Sequence, residues 1–464
     1  MKIRDLIQAT GGNIKEYGSV DLEKDVNIST DTRTIKKGDF YLPLKGASFD
    51  GEKFISQALE KGAIGSFYTE LPPHPSADCV TKLHPLPLPL PKGARENGIC
   101  FIQVSDTLVA YLQLANYRRN KLNPTVVAIT GSSGKTTTKE LVASVLSEKY
   151  KTFKTPLNHN NEIGFCQTIF EAPSDTEVLV LEMGMRGLGE IELLSKYSEP
   201  DITIISNVGT AHIGRLGSRE NIAKAKCEIV KHQRGKIFIA HNDELIKNTV
   251  EFNGEKIYYS IKDVKIIEKS THYSKFEYQN NIYELNVGGD YNIENALSAI
   301  NTGVKLGLTV EQIQNGLKKY KPIEKRWEAV EVNINGKNIN IINDSYNANP
   351  ESMRAFVDTI FELYKDYTLI LGDMGELGEN ETKYHKELGE YINNKSNLNK
   401  NAKVISIGAL SENITDAITK CETEHFNTIE EAVIYLKSGI SLSKNLFLKA
   451  SRSMKFEKII EGLE

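Results

Sequence analysis

The stretch "AITGSSGKTTTKE", residues 128 to 140, sets two glycines, a lysine and a run of hydroxyl side chains directly after an apolar segment. Strand, glycine-rich turn and helix start form the context that a phosphate-binding loop requires. Gly131 and Gly134 let backbone N–H groups converge on phosphate oxygens. Lys135 can neutralise the β- and γ-phosphates, and Thr136 offers Mg²⁺ a hydroxyl. Ser132, Ser133 and Thr137 complete the residues expected at the nucleotide. Ile129 stands where the full P-loop pattern has its first glycine, so the loop is a shortened form. Mg²⁺ takes oxygen ligands, and "VLVLEMGMRGLGEI" ends an apolar run at Glu182, where open α/β sheets present ligand groups. "ITIISNVGTAHIGRLGS" ends another run and delivers His212 in a loop. After Ser218, an N-cap, "SRENIAKAKCEIVKHQ" reads as a helix with an apolar stripe at Ile222, Ala225, Ile229 and Val230. On pattern alone its Lys224 and Lys226 are solvated surface cations.

These residues need a scaffold, and the apolar runs supply it. From Pro124 onward, "VVAIT", "VLVLEMG", "ITIISNVG" and "KIFIAHND" recur between helical stretches. Continuous rather than alternating apolar runs suit strands buried on both faces, hence a parallel sheet covered by helices. A second series follows Trp327: "INIINDSYN", "TLILGDMGE", "KVISIG" and "NLFLKA" alternate with helical segments and predict a separate doubly wound domain. The expected fold is α/β in three domains: residues 1–104, a central P-loop sheet over 105–323, and a Rossmann-like domain over 324–464. In the first, "ISTDTRTIKKGDFYLPLKGASFDGEKF" predicts short strands and turns, then a helix through Ala58 and Ala63, with "ICFIQV" as a later strand. Residues 72 to 92 are dense in proline, which excludes helix interiors and central strands and predicts a surface insertion of polyproline character.

The chain has 464 residues, 40% hydrophobic and 25% charged, with a formal net charge of −4. That balance suits a soluble protein with sizeable cores and no global attraction to nucleic acid or anionic membrane. Cys79, Cys100, Cys166, Cys227 and Cys421 are scattered and never form CxxC, which argues against a disulfide framework or zinc site. With no signal-peptide h-region and no long apolar span, the chain is expected to be cytoplasmic.

Taken together and in this order, "TGSSGKTTTKE", "LNHNNEIG", "LEMGMRGLGEI", "NVGTAHIGRLGS", "AKAKCEI", "NDSYNANPESM" and "LGDMGELGE" resemble the Mur ligase family over nearly the whole chain. The last two motifs resemble its branch that adds D-alanyl-D-alanine to UDP-MurNAc-tripeptide. The resemblance implies an ATP-dependent amide ligase with a UDP-binding N-terminal domain and two Mg²⁺ ions, acting as a monomer on these small molecules. By motif position it places Lys135 and Thr136 on the phosphate lysine and the metal-binding threonine, Glu182 on a metal ligand and His212 on a ligand of the second metal. Lys226 falls on the lysine that CO₂ converts to a carbamate. Asn160 and Asn161 fall on the substrate side, and Asn292 and Asn295 on the adenine side, where Tyr291 replaces a more usual histidine. Arg326 and Asp344 fall near the nucleotide, with "KPIEKRWE" as the hinge for closure of the last domain. "STDTR" (Ser29, Thr30, Asp31, Arg33) and the Gly46 of "LKG" look like UDP-sugar elements. Lys449 and Arg452 of "LKASRSM", with Ala450 in place of the family's glycine, could reach the substrate. No general base for the incoming amine is singled out; His385 in "KYHKELG" is equally readable as a helix-surface residue.

Overall fold

A computed structural model describes residues 1–46, 49–69, 98–156, 159–322, 325–395, 402–438 and 443–464. The proline-rich stretch 72–92 lies outside the described residues. The chain forms two compact units: residues 1–124 with 162–174, and residues 125–161 with 175–464.

The first unit is built on a five-stranded sheet in the order β1-β5-β4-β3-β2. Its strands are β1 (Asn13–Tyr17), β2 (Ile28–Ser29), β3 (Phe40–Tyr41), β4 (Gly65–Tyr68) and β5 (Ile99–Gln103). The expected helix before β4 is short, Ile55–Glu60, and stops before Ala63. The helix Thr107–Leu122 starts on Asp106, whose side chain accepts from the N–H groups of Leu108 and Val109, a standard N-cap. The helix lies beyond the expected boundary at 104 and packs within the first unit, where Lys121 Nζ lies 2.9 Å from Asp5. The segment 162–174 returns to the same unit. Arg118 donates to the carbonyls of Ile169 at 2.9 Å and Ala172 at 2.8 Å, and Tyr111 stacks on Phe170 with ring centroids 5.5 Å apart.

The second unit opens with a six-stranded sheet, all parallel, in the order β11-β10-β9-β6-β8-β7. Its strands are β6 (Thr125–Thr130), β7 (Thr152–Lys154), β8 (Val178–Glu182), β9 (Ile202–Ile205), β10 (Ile237–His241) and β11 (Glu255–Tyr259). The four expected apolar runs form β6, β8, β9 and β10, with β6 at the centre. Ile129 pairs with Glu182 and Thr130 with Ile205, so these strands end level with one another. The phosphate loop, Glu182 and the loop carrying His212 therefore leave the sheet at the same edge. A three-stranded antiparallel sheet follows, β12 (Lys265–Lys269), β13 (Ser274–Tyr278) and β14 (Asn281–Leu285), then the helix Asp290–Lys305.

The C-terminal part holds a second six-stranded sheet, in the order β15-β16-β20-β17-β18-β19, parallel except for the β15–β16 hairpin. Its strands are β15 (Glu328–Ile334), β16 (Lys337–Asn343), β17 (Thr368–Gly372), β18 (Lys403–Ile407), β19 (Glu422–Phe426) and β20 (Asn445–Lys449). The connection into it is bent sharply: Lys325 and Trp327 both hold left-handed backbones, at φ 62° and 59°. Trp327 is buried, donates from Nε1 to the Thr271 carbonyl at 2.7 Å, and meets Tyr291 and Phe356 edge to face. An indole with both its ring and its N–H engaged fixes this bend from either side.

Candidate active site

The loop after β6 is shaped by the residues that follow β9. Ser132 N–H donates to the Asn207 carbonyl at 3.1 Å and Ser133 N–H to Asn207 Oδ1 at 2.9 Å. Ser206 Oγ donates to the Ser133 carbonyl at 2.6 Å, and Gly209 N–H to Ser132 Oγ at 2.9 Å. Gly131 permits this closeness, since a Cβ there would stand 1.9 Å from Ser206 Oγ. Gly134 holds φ +75°, and a Cβ on it would lie 2.5 Å from Asn295 Oδ1. These bonds and close approaches hold the loop's backbone in one shape, as a preorganised anion site requires. Lys135 Nζ donates to the Gly131 carbonyl at 2.8 Å, folding its ammonium over the loop. Burial pulls that ammonium below its ordinary pKa and nearby Arg326 adds to the effect, while Glu182 and Glu376 oppose it. Thr136 and Thr137 are buried in the first turn of the helix Lys135–Leu146. Sequence reading missed Ser206 and Asn207; their signal was a Ser-Asn pair immediately after an apolar run, which only the neighbouring loop explains.

Glu182 ends β8 and is 3% exposed. Its Oε1 accepts from Asn160 Nδ2 at 2.9 Å, while its Oε2 is buried without a hydrogen-bond partner among the described residues. Lys139 Nζ lies 3.7 Å from Oε2 as a buried ion pair and donates to the Thr155 carbonyl at 2.8 Å. A buried carboxylate oxygen with a lone pair to spare is a vacancy in hydrogen bonding that a divalent cation satisfies. Thr136, Glu182 and His212 together offer a hydroxyl, a carboxylate and an imidazole; the hard oxygen donors suit Mg²⁺. Among the described residues no group of three or more His, Cys, Asp or Glu side chains is arranged to hold a metal. A cation here would share its coordination with hydroxyl and phosphate oxygens.

The helix Arg219–Cys227 is capped by Ser218, whose Oγ accepts from Asn221 N–H. Its two candidate lysines separate cleanly. Lys224 is exposed, whereas Lys226 is 1% exposed and faces inward with Ile222 and Ala225. The surface reading of Lys226 therefore fails, because the helix buries that face. Desolvation and the charge of Lys135 push its ammonium well below the ordinary lysine value, with only the Cys227 thiol opposing. His212 holds φ 66°, and its Nδ1 lies 2.6 Å from Glu376 Oε2 in the loop after β17. This contact carries the "LGDMGELGE" motif onto the central sheet's edge. The "NDSYNANPESM" motif arrives beside it: Asn349 caps the helix Pro350–Leu363, and Glu351 Oε2 accepts from Thr210 N–H at 3.0 Å and Thr210 Oγ1 at 2.9 Å.

The remaining expected residues are placed as follows. Asn292 and Asn295 are buried in the helix Asp290–Lys305; Asn292 donates to the Gly288 carbonyl and Asn295 accepts from Thr138 Oγ1. Arg326 stacks over the Tyr346 ring at 3.9 Å. Asp344 is held by Lys449, 2.6 Å from Oδ2, and by Trp327 N–H, so Lys449 faces Asp344 rather than open space. Arg452 pairs with Glu457 at 2.6 Å. His385 is buried, not on the helix surface: Nε2 accepts from Met374 N–H at 2.9 Å and Nδ1 faces the Glu381 carbonyl at 2.7 Å. With both nitrogens engaged it holds the β17 loop and has no free nitrogen for a substrate. Asn161 is half-buried. In the first unit, Asp31 grips Arg33 through both carboxylate oxygens, which holds the Asp31 carboxyl at about 2. Ser29 Oγ donates to the Asp31 carbonyl, Thr30 lies between them, and Gly46 N–H donates to the Phe49 carbonyl.

Comparison with known proteins places the chain in a family. The Mur ligase middle domain profile matches residues 129–303, and the Mur ligase glutamate ligase domain profile matches residues 325–451. A Bacillus subtilis protein named UDP-N-acetylmuramoyl-tripeptide–D-alanyl-D-alanine ligase is 34% identical over 450 residues, covering 94% of this chain and 92% of its own. A MurF crystal structure from Acinetobacter baumannii superposes with a TM-score of 0.81 at 27% identity, covering 100% of this chain and 98% of that one. A MurF ligase from Thermotoga maritima in complex with ADP gives 0.78 at 26% identity, over 94% and 96% of the two chains. Since both profiles fall on the loop, strand ends and docking motifs just described, and since the likeness runs nearly end to end, the chain belongs to the Mur ligase family.

Proposed function

We propose that this protein joins D-alanyl-D-alanine to UDP-MurNAc-tripeptide with ATP, producing the pentapeptide precursor of peptidoglycan, ADP and phosphate. The observation that carries the reading is the 34% identity, over 94% of the chain, to a relative named for that reaction. In this reading a carboxylate oxygen of the tripeptide attacks the γ-phosphorus, the bond to the β-bridging oxygen breaks, and ADP leaves. The free amine of D-alanyl-D-alanine then attacks the acyl carbon, phosphate departs with the bonding pair, and the nitrogen gives up its proton. Because both carboxylate and triphosphate are anionic, the site must neutralise charge where it accumulates.

Lys135 would turn from the Gly131 carbonyl to the phosphates, whose negative charge favours the ammonium that burial disfavours. The fixed N–H groups of residues 131–136 cradle the same oxygens. Thr136 and Glu182 Oε2, which accepts no hydrogen bond among the described residues, would hold one Mg²⁺, and His212 with Lys226 a second. Mg²⁺ bound there supplies Lewis-acid neutralisation of the phosphate oxygens. Lys226 is suited to carbamate formation because a buried, depressed amine is neutral enough to add CO₂, and the product gives an oxygen ligand where the bare lysine would repel a cation. Asn295 and Asn292 line the nucleotide side, with Arg326 and Asp344 at the linker; Asn160 and Asn161 stand on the tripeptide side. Ser29, Thr30, Asp31, Arg33 and Gly46 of the first unit receive the UDP sugar. By role, residues 1–104 would serve UDP, 105–323 ATP and 324–464 the dipeptide, in a cytoplasmic monomer, although in packing the first unit runs on to residue 124. No helix among the described residues is long and apolar enough to cross a membrane.

The test is phosphate release from ATP and Mg²⁺ with UDP-MurNAc-tripeptide and D-alanyl-D-alanine, each omitted in turn. Release that requires both, with pentapeptide formed in equal amount, is expected. Release that ignores either substrate overturns the assignment.

A further inference from the structure

We infer that Glu376 is a positioning residue for His212: its carboxylate, 2.6 Å from Nδ1, holds that side of the imidazole and leaves Nε2 as the nitrogen to meet a cation. The inference rests on the reading of His212 as a metal ligand and extends it to a residue on a different sheet. His212 leaves the central sheet after β9, while Glu376 leaves the C-terminal sheet after β17, yet Nδ1 and Oε2 are 2.6 Å apart. Ligating imidazoles are commonly held this way, since a carboxylate on one ring nitrogen fixes the tautomer and aims the other.

Three further observations show a contact built for that purpose rather than a chance surface pair. The backbones are locked together, with Gly214 N–H donating to the Glu376 carbonyl at 3.2 Å. The approach needs glycine on both sides: a Cβ on Gly214 would stand 2.6 Å from Gly378 N, and one on Gly378 2.7 Å from Gly214 Cα. Both partners also hold left-handed backbones as non-glycine residues, φ 66° for His212 and φ 62° for Glu376, a strained conformation that persists where the surroundings impose it. Glu351 adds a second carboxylate from the same half of the unit, on Thr210 N–H and Oγ1, two residues before His212. Removing Glu376 therefore frees the ring without removing the docked loop. The consequence is that the second cation position is complete only while the C-terminal loop is docked, which couples metal binding to the arrival of the dipeptide-binding half.

The experiment measures Mn²⁺ binding to the full chain in the presence of ADP, by electron paramagnetic resonance of the free ion, for wild type, Glu376→Ala, Glu376→Gln, His212→Ala and the His212→Ala/Glu376→Ala double variant. Loss of an outer partner weakens metal affinity about tenfold or more, so Glu376→Ala is expected to raise the Mn²⁺ Kd by that factor. Glu376→Gln, whose amide oxygen can still face Nδ1, should bind Mn²⁺ more tightly than Glu376→Ala. In the His212→Ala background the Glu376 substitution should add nothing. If His212→Ala itself leaves Mn²⁺ binding unchanged, the ligand reading of His212 fails. If His212→Ala weakens binding but Glu376→Ala does not, or if glutamine is no better than alanine, the positioning role alone is overturned.

Discussion

Gly134→Ala tests how much of the nucleotide site is built into the backbone. An L-residue in the left-handed region costs about 1–2 kcal/mol, and position 134 holds φ +75°. The new Cβ would also lie 2.5 Å from Asn295 Oδ1, so the amide must turn away. That breaks the 3.2 Å bond from Thr138 Oγ1, and leaving a buried polar group unpaired costs about 1–3 kcal/mol. Together the folded state loses about 2–5 kcal/mol, unless the loop relaxes. Relaxation moves the loss to the phosphate-binding shape, where each 1.4 kcal/mol is about tenfold in affinity. Thermal denaturation and the ATP KM for phosphate release read the two routes. Adding Asn295→Ala removes the clash but not the backbone term, so the double variant should stay about 1–2 kcal/mol less stable than Asn295→Ala alone. An alanine variant with wild-type Tm and an ATP KM within about twofold of wild type would refute the claim that this glycine is demanded by geometry.

Other expectations follow from the same site. Lys226→Ala should abolish most activity, with partial recovery on adding short-chain carboxylates; undiminished activity would remove the carbamate. Thr136→Ala or Glu182→Ala should raise the Mg²⁺ concentration needed for half-maximal rate, and indifference to both would move the metal elsewhere. Burial pushes the His385 pKa down, so the folded chain resists a proton that the unfolded chain takes up near pH 6.5. Its contribution is present above that value and declines as pH falls below it. His385→Gln, which also loses a good partner for Met374 N–H, should be less stable at pH 7.5 but decline less steeply toward pH 5.5 in urea unfolding; parallel pH slopes would contradict this.

How far the sequence could be read depended on where each segment lies in its sheet. β6, β8, β9 and β10 were legible because central parallel strands are apolar on both faces. β12 and β19 were not: "KIIEK" and "ETEHF" lie at sheet edges and are exposed or half-exposed, so their composition reads as loop. Among the candidate residues, Gly131, Gly134, Lys135 and Thr136 were singled out by strand, turn and helix spacing within one stretch, and Glu182 by its place at the end of another apolar run. Lys226 was not, since "AKAK" offers two equivalent lysines until the helix's buried face is known. The pairing of His212 with Glu376, and of Thr210 with Glu351, joins residues 164 and 141 positions apart. No local periodicity encodes a contact of that kind. His385 shows the opposite case, a histidine with a catalytic look whose two nitrogens are both taken up internally.

The excursion of residues 162–174 into the first unit bears on how the protein is made. That unit lacks the partners of Arg118 and Tyr111 until Ile169, Phe170 and Ala172 have been synthesised. By then the ribosome has already delivered β6, the phosphate loop and the helix Lys135–Leu146. Domains that fold in order of synthesis do so as complete contiguous pieces, and this one is not contiguous. The nucleotide loop is therefore born inside an unfinished neighbour, and a fragment ending at residue 124 should expose the apolar faces of Tyr111 and its helix rather than fold on its own.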